Sequence, residues 1–152
     1  MKAPYRLILA IAAFTAVPAL ADERRMLPLQ PGEEWKQECG ACHLAFPPRL
    51  LPAESWRKTM GGLDKHFGTD ATLSPRETRE ITDFLVKNAA SRWRGSTAPL
   101  RVTESPRFQH EHREIAASIW KRAAIKSPAN CAACHPAADK GDFEEHSVRI
   151  PR

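Results

Sequence analysis

The 152-residue chain has no stretch in which apolar and polar side chains alternate as they do along a half-buried strand, which argues against a sheet-based fold. It lacks clusters of Lys and Arg, so nucleic acid is not an expected partner. Past position 21 it has no apolar run long enough to cross a bilayer. No acid–base cluster stands apart as a place for a substrate. There is also no spare thiol. All four cysteines fall in two pentapeptides, "CGACH" at Cys39 to His43 and "CAACH" at Cys131 to His135.

The first residues read as an address and not as fold. Lys2 and Arg6 form a positive start, Leu7 to Val17 is an apolar run that Pro18 ends, and Ala19-Leu20-Ala21 is a small-residue cleavage site. Residues 1–21 are therefore expected to be a cleaved signal peptide. The mature chain is expected to begin at Asp22 and to be a soluble periplasmic protein with no membrane insertion. Losing Lys2 and Arg6 removes two of the five net positive charges and leaves +3. Acids and bases are otherwise interleaved, as on a solvated surface.

Four cysteines in an exported protein would ordinarily be counted as two disulfides. Their spacing argues otherwise. Two cysteines three apart with a histidine directly after them suit covalent haem attachment: two thiols form thioethers and the imidazole meets the iron. Zinc is the alternative, but four Cys and two His exceed a tetrahedral shell. Two haem c groups are expected, attached at Cys39 and Cys42 and at Cys131 and Cys134, with His43 and His135 as proximal ligands.

The helices can be placed around these motifs. Pro31-Gly32 opens a helix over Glu33 to Cys39, whose first-turn acids suit the helix dipole. Prolines in "LAFPPRLLP" make a loop passing the haem, and Phe46-Pro47-Pro48 could offer a carbonyl to the proximal imidazole. Ala53 to Met60 is a short helix with Trp56 and Met60 on one face, stopped by Gly61-Gly62. Ser74-Pro75-Arg76-Glu77 is a capped helix start, followed by an apolar stripe of Ile81, Phe84 and Leu85 to about Ala90. The stretch Ser91 to Pro106 is a boundary rich in Ser, Thr, Pro and Gly. It divides a first lobe (22–95) and a linker (96–105) from a second lobe with its tail (106–152). A helix is expected from Arg107 to Ala124. The second lobe is too small and too poor in large apolar side chains to fold alone, so a covalently held macrocycle must supply its core. The expectation is an all-α, loop-rich, two-lobed protein.

The sixth ligand of each iron decides function, because a filled position favours electron transfer and an open one ligand chemistry. His66, His110, His112, His146, Met26 and Met60 are the candidates. His66 lies in a glycine-flanked loop and is preferred over Met60, which reads as core. His110 and His112 are two apart on the expected helix. His112 shares the face of Ile115, Ala116 and Ile119, so it is preferred; His110 stays open as the alternative, and His146 reads as surface.

The sequence resembles the small bacterial dihaem cytochrome c family. The resemblance rests on "CGACH", "LDKHFGTDATLS", "EHREI", "SIWKRAAIKSPANCAACHPAADKGDFEE" and the ending "VRIP", and covers nearly all of the mature chain. It implies a first lobe similar to a class I cytochrome c, a smaller second lobe, and histidine on both sides of each iron: His43 with His66, and His135 with His112. It implies a one-electron carrier, expected to be monomeric, whose partners are an exported cytochrome such as an oxygen-binding monohaem cytochrome c, or a membrane b-type cytochrome. The rival is a dihaem enzyme (a peroxidase, or a small-molecule reductase or oxygen binder) with one open iron.

Overall fold

The computed structural model describes residues 31–93 and 97–152. The expected signal peptide, Met26 and the lobe boundary at 95/96 lie outside the described residues. Among the described residues there are five α-helices, several single 3₁₀ turns and no strand: α1 (Pro31–Gly40), α2 (Ala53–Met60), α3 (Pro75–Lys87), α4 (Pro106–Glu111) and α5 (Ala117–Trp120).

The first three helices form where the sequence places them. In α1, Glu33 and Glu34 occupy the first turn, where the exposed N–H groups favour negative charge. The expected helix of Ala53 to Met60 is α2, residue for residue. At the start of α3 the Ser74 side chain accepts from the Glu77 N–H while the Glu77 carboxylate accepts from the Ser74 N–H, a complete capping box, with Pro75 in the first turn.

These helices surround the main core. It consists of Trp35, Leu51, Trp56, Met60, Ile81 and Leu85, joined by Val102 from the connecting segment. α3 packs on both α1 and α2. Each of these large side chains contributes roughly 1.5–3 kcal/mol by leaving water. Trp35 meets Phe84 at 5.4 Å between ring centres. The Trp56 indole N–H donates to the Pro48 carbonyl at 2.7 Å, which ties the proline loop to α2. Gly32 lies where a Cβ would meet the Phe84 ring at 3.2 Å, a tight contact that the ring could relieve only by shifting a few tenths of an ångström.

Beyond residue 105 the expected continuous helix from Arg107 to Ala124 does not form. α4 starts well, because Ser105 is buried and its hydroxyl accepts from the Phe108 N–H. It stops at His112, and Ala116 is extended before the single turn of α5. The break has a local cause. The His112 ring bonds the Phe108 carbonyl at 2.9 Å, the same carbonyl that accepts the His112 N–H, so the side chain competes with the helical ladder. Apart from Val102 and Ser105, only Ile125 and Ala138 are fully buried in this half. Local turns and a strap hold the remainder: the Arg149 N–H donates to the Cys134 carbonyl at 2.8 Å, and the Arg122 guanidinium donates to the Pro151 carbonyl at 2.6 Å. A cleft of about 520 Å³ opens between residues 35–49 and 138–141, so the turn after the second motif faces the loop after the first.

Candidate functional site: two facing pairs of imidazoles

Each CxxCH motif ends a short helical segment. Cys39 is the penultimate residue of α1 and packs against the main core, while Cys42 and His43 follow in the turn. Cys131 to Ala133 form one 3₁₀ turn, and the His135 N–H donates back to the Cys131 carbonyl at 2.8 Å. None of the four cysteines is paired in a disulfide. Burial pushes the Cys39 thiol up to about 11 and raises Cys131 and Cys134 as well. An exchanging redox dithiol needs the opposite shift. Among the described residues no three His, Cys, Asp or Glu side chains converge as a metal cluster. The zinc alternative therefore has no support in the geometry.

Opposite each motif histidine stands a second one. The rings of His43 and His66 are 6.1 Å apart between centres, and those of His112 and His135 are 6.2 Å apart. A metal–imidazole bond of about 2.0 Å, extended to the ring centre at each end, places two rings sharing one metal about 6 Å apart. The spacing thus fits one iron between each pair. Burial lowers the proton affinity of His66 and of His135, and the facing imidazole, His43 or His112, lowers it further. Both shifts favour the neutral form, the one that binds metal.

Several devices orient these rings. With Nε2 left for a metal, His43 Nδ1 donates to the Leu44 carbonyl at 2.7 Å. The expected Phe46-Pro47-Pro48 carbonyl is not the acceptor; Leu44, one residue on, is closer. His112 Nδ1 donates to the Phe108 carbonyl. His135 Nδ1 is buried and meets no hydrogen-bond partner. His66 is carried by a tight turn closed by Thr69 N–H to His66 carbonyl at 3.0 Å. The two central residues, Phe67 and Gly68, have φ of 51° and 97°. That conformation costs a residue such as phenylalanine roughly 1–3 kcal/mol.

Sequence reasoning missed the aromatic neighbours. Phe46 stacks by His43 at 5.0 Å, Phe67 sets its edge to His66 at 4.8 Å, Phe108 stacks on His112 at 4.1 Å, and Phe143 lies 5.3 Å from His135. Four of the six phenylalanines thus flank a candidate ligand, and Phe46 among them also packs against the main core. Proximity in sequence was a usable signal for Phe67 and Phe46.

The other candidates do not reach a pair. Met60 is buried in the main core. His110 is exposed and turned toward Arg113, and His146 is exposed. His112 faces His135 as expected, but not for the expected reason. It caps α4, and the continuous helical face with Ile115, Ala116 and Ile119 does not exist.

Comparison with known proteins agrees with this geometry. A family model described as dihaem cytochrome c matches residues 35–143. The diheme cytochrome c of Shewanella baltica OS155 is 37% identical and superposes with a TM-score of 0.73, covering 81% of this chain and 95% of that one. A diheme cytochrome c from Rhodobacter sphaeroides is 40% identical at a TM-score of 0.67, covering 73% of this chain and 95% of that one. A second structure from that organism is 41% identical at 0.65, covering 73% and 96%. No curated protein matches. Two CxxCH motifs, two facing imidazole pairs and a helical, loop-rich frame place the chain in the dihaem cytochrome c family, and with it a pair of covalent haem c groups and the role of a haem-based electron carrier.

Proposed function

We propose that the protein is a periplasmic one-electron carrier in which both irons are closed by two imidazoles, His43 with His66 and His135 with His112. The ring separations of 6.1 and 6.2 Å are the observation that carries this reading. The haem iron supplies the Fe(III)/Fe(II) couple. The protein supplies the rest. Cys39, Cys42, Cys131 and Cys134 would hold the macrocycles covalently, and the four histidines would hold the irons through both oxidation states, so that little of the chain would rearrange on electron transfer. Nitrogen donors without a thioether keep the potentials below those of a Met/His cytochrome.

Residues 1–21 serve as the export signal, and the protein is monomeric. Its partners are another exported cytochrome, such as an oxygen-binding monohaem cytochrome c, and a membrane b-type cytochrome. Optical and EPR spectra of the purified protein, with a haem count, test the core of the reading. Two haems per chain, both low-spin with nitrogen ligands, are expected. Rapid carbon monoxide binding by the native reduced protein would overturn it and favour a dihaem enzyme with an open iron.

A further inference from the structure

The two imidazole pairs match in separation but not in orientation. The planes of His43 and His66 lie within 16° of each other, whereas those of His112 and His135 cross at 80°. Both separations are close to the most that two rings on one metal can show. With both rings of a pair on one iron, as proposed above, such separations leave a nearly straight ligand axis, and the angle between planes is then a twist about that axis.

The restraints that hold the two twists differ. His43 is fixed by the Leu44 carbonyl and by Phe46, with ring planes 25° apart. His66 is fixed by the edge of Phe67, whose ring is covered by the Arg101 guanidinium at 4.1 Å. His112 is held by the Phe108 carbonyl, by the Phe108 ring at an interplanar angle of 21°, and by Trp120 at 5.7 Å.

Twist matters because an imidazole pushes π density onto the iron d orbital directed across its plane. Aligned planes load one orbital twice and lift it away from its partner. The hole of low-spin Fe(III) settles there, which stabilises the oxidised state. Crossed planes load each orbital once, keep the two nearly degenerate, and withhold that stabilisation. Hydrogen bonding to the ligands, one further lever on a haem beside burial, is nearly matched. One ring of each pair, His43 or His112, donates to a backbone carbonyl.

We infer that the two centres are unequal by construction: the crossed His112/His135 pair forms the more oxidising centre and is the first to be filled. This rests on the bis-imidazole reading above and adds an internal direction to it. An electron delivered to the His43/His66 centre by an external one-electron donor passes on. The iron there returns from Fe(II) to Fe(III) as that of the other centre goes from Fe(III) to Fe(II), and no proton need move.

Two nearby charges act the other way. Arg101 bears on His66 and Asp142 on His135. Each already has local partners: Arg101 has Glu104 at 3.9 Å and the Phe67 ring, and Asp142 has the Glu144 N–H and the Ser147 hydroxyl, both at 3.0 Å. Arg101 is exposed and screened, and the half-buried Asp142 is committed to its own turn, which leaves the ligand twist to set the order.

EPR of the oxidised holoprotein during a stepwise reductive titration tests the inference. Two low-spin signals are expected, one rhombic from the aligned pair and one highly anisotropic with a large g value from the crossed pair. The large-g signal should disappear first. Phe108→Leu, which removes the ring stacked on His112 and so loosens its twist, should move the large-g signal toward the rhombic type and leave the other unchanged. Two signals of the same type, or loss of the rhombic signal first, would overturn the inference and leave bis-imidazole ligation standing. A high-spin signal in the native protein would instead overturn the ligation itself.

Discussion

Arg101 sits with its guanidinium 4.1 Å from the centre of the Phe67 ring, so a residue of the connecting segment grips the turn that carries His66. Its neighbour Val102 is buried in the first core. The segment between the motifs is therefore fastened to the first haem site. A cation–π contact at an exposed site contributes about 0.5–1 kcal/mol. Arg101→Ala should lower stability in chemical denaturation by about that amount, and Arg101→Lys should keep part of it. An unchanged midpoint in the alanine variant would show that the contact holds nothing.

Removing a facing imidazole should open one iron at a time. His66→Ala and His112→Ala should each give a native reduced protein that binds one carbon monoxide per chain rapidly. His110→Ala should bind none, because His110 is exposed and away from His135. If His110→Ala opened the second centre and His112→Ala did not, the pairing of His112 with His135 would be wrong.

These two histidines show how far the sequence could be read. Covalent attachment writes its chemistry into spacing, so Cys39 to His43 and Cys131 to His135 were legible at once. His66 was legible because a glycine-flanked loop is a local feature. His112 was reached through a helical face that the structure does not form, since its own ring bonds the Phe108 carbonyl and helps end the helix. Phe143 could not have been foreseen beside His135: it lies eight residues on, and only the turn at 138–141 brings it back.

The capping box at α3 gives a pH-dependent prediction. Hydrogen bonds from Ser74 lower the proton affinity of Glu77 in the folded state. Its contribution is therefore complete above the unfolded carboxyl pKa and is lost as pH falls through the lower folded value. Ser74→Ala should cost about 1 kcal/mol at neutral pH by losing the cap. The stability gap between the native protein and Glu77→Gln should shrink in acid; a gap that widened on acidification would contradict the assigned role.

Glu34 is almost fully buried, with one carboxylate oxygen paired to Arg76 at 2.9 Å and the other unpartnered. Arg76 also pairs with Glu80 across one turn of α3. Arg76→Ala strands the buried Glu34 carboxylate and should lower stability measurably in chemical denaturation. Adding Glu34→Gln should recover much of that in a double-mutant cycle. Additive losses would mean that the pair is not coupled.

Replacing Cys131 and Cys134 together by alanine should leave the first haem attached and α1 to α3 protected from proteolysis, while residues beyond about 106 become readily cleaved. Equal protection of both halves would show that the second lobe does not need its haem.

The uneven burial of large side chains also sets a hierarchy in time. Amides beneath Ile81 and Leu85 can exchange with solvent only when the whole first core opens, so their exchange reports the global stability of the chain. Around Ile125 there is no comparable shell. There, on the proposed ligation, the slowest exchange should follow the iron–imidazole bonds, and the second lobe should breathe at the rate at which His112 would let go of its metal.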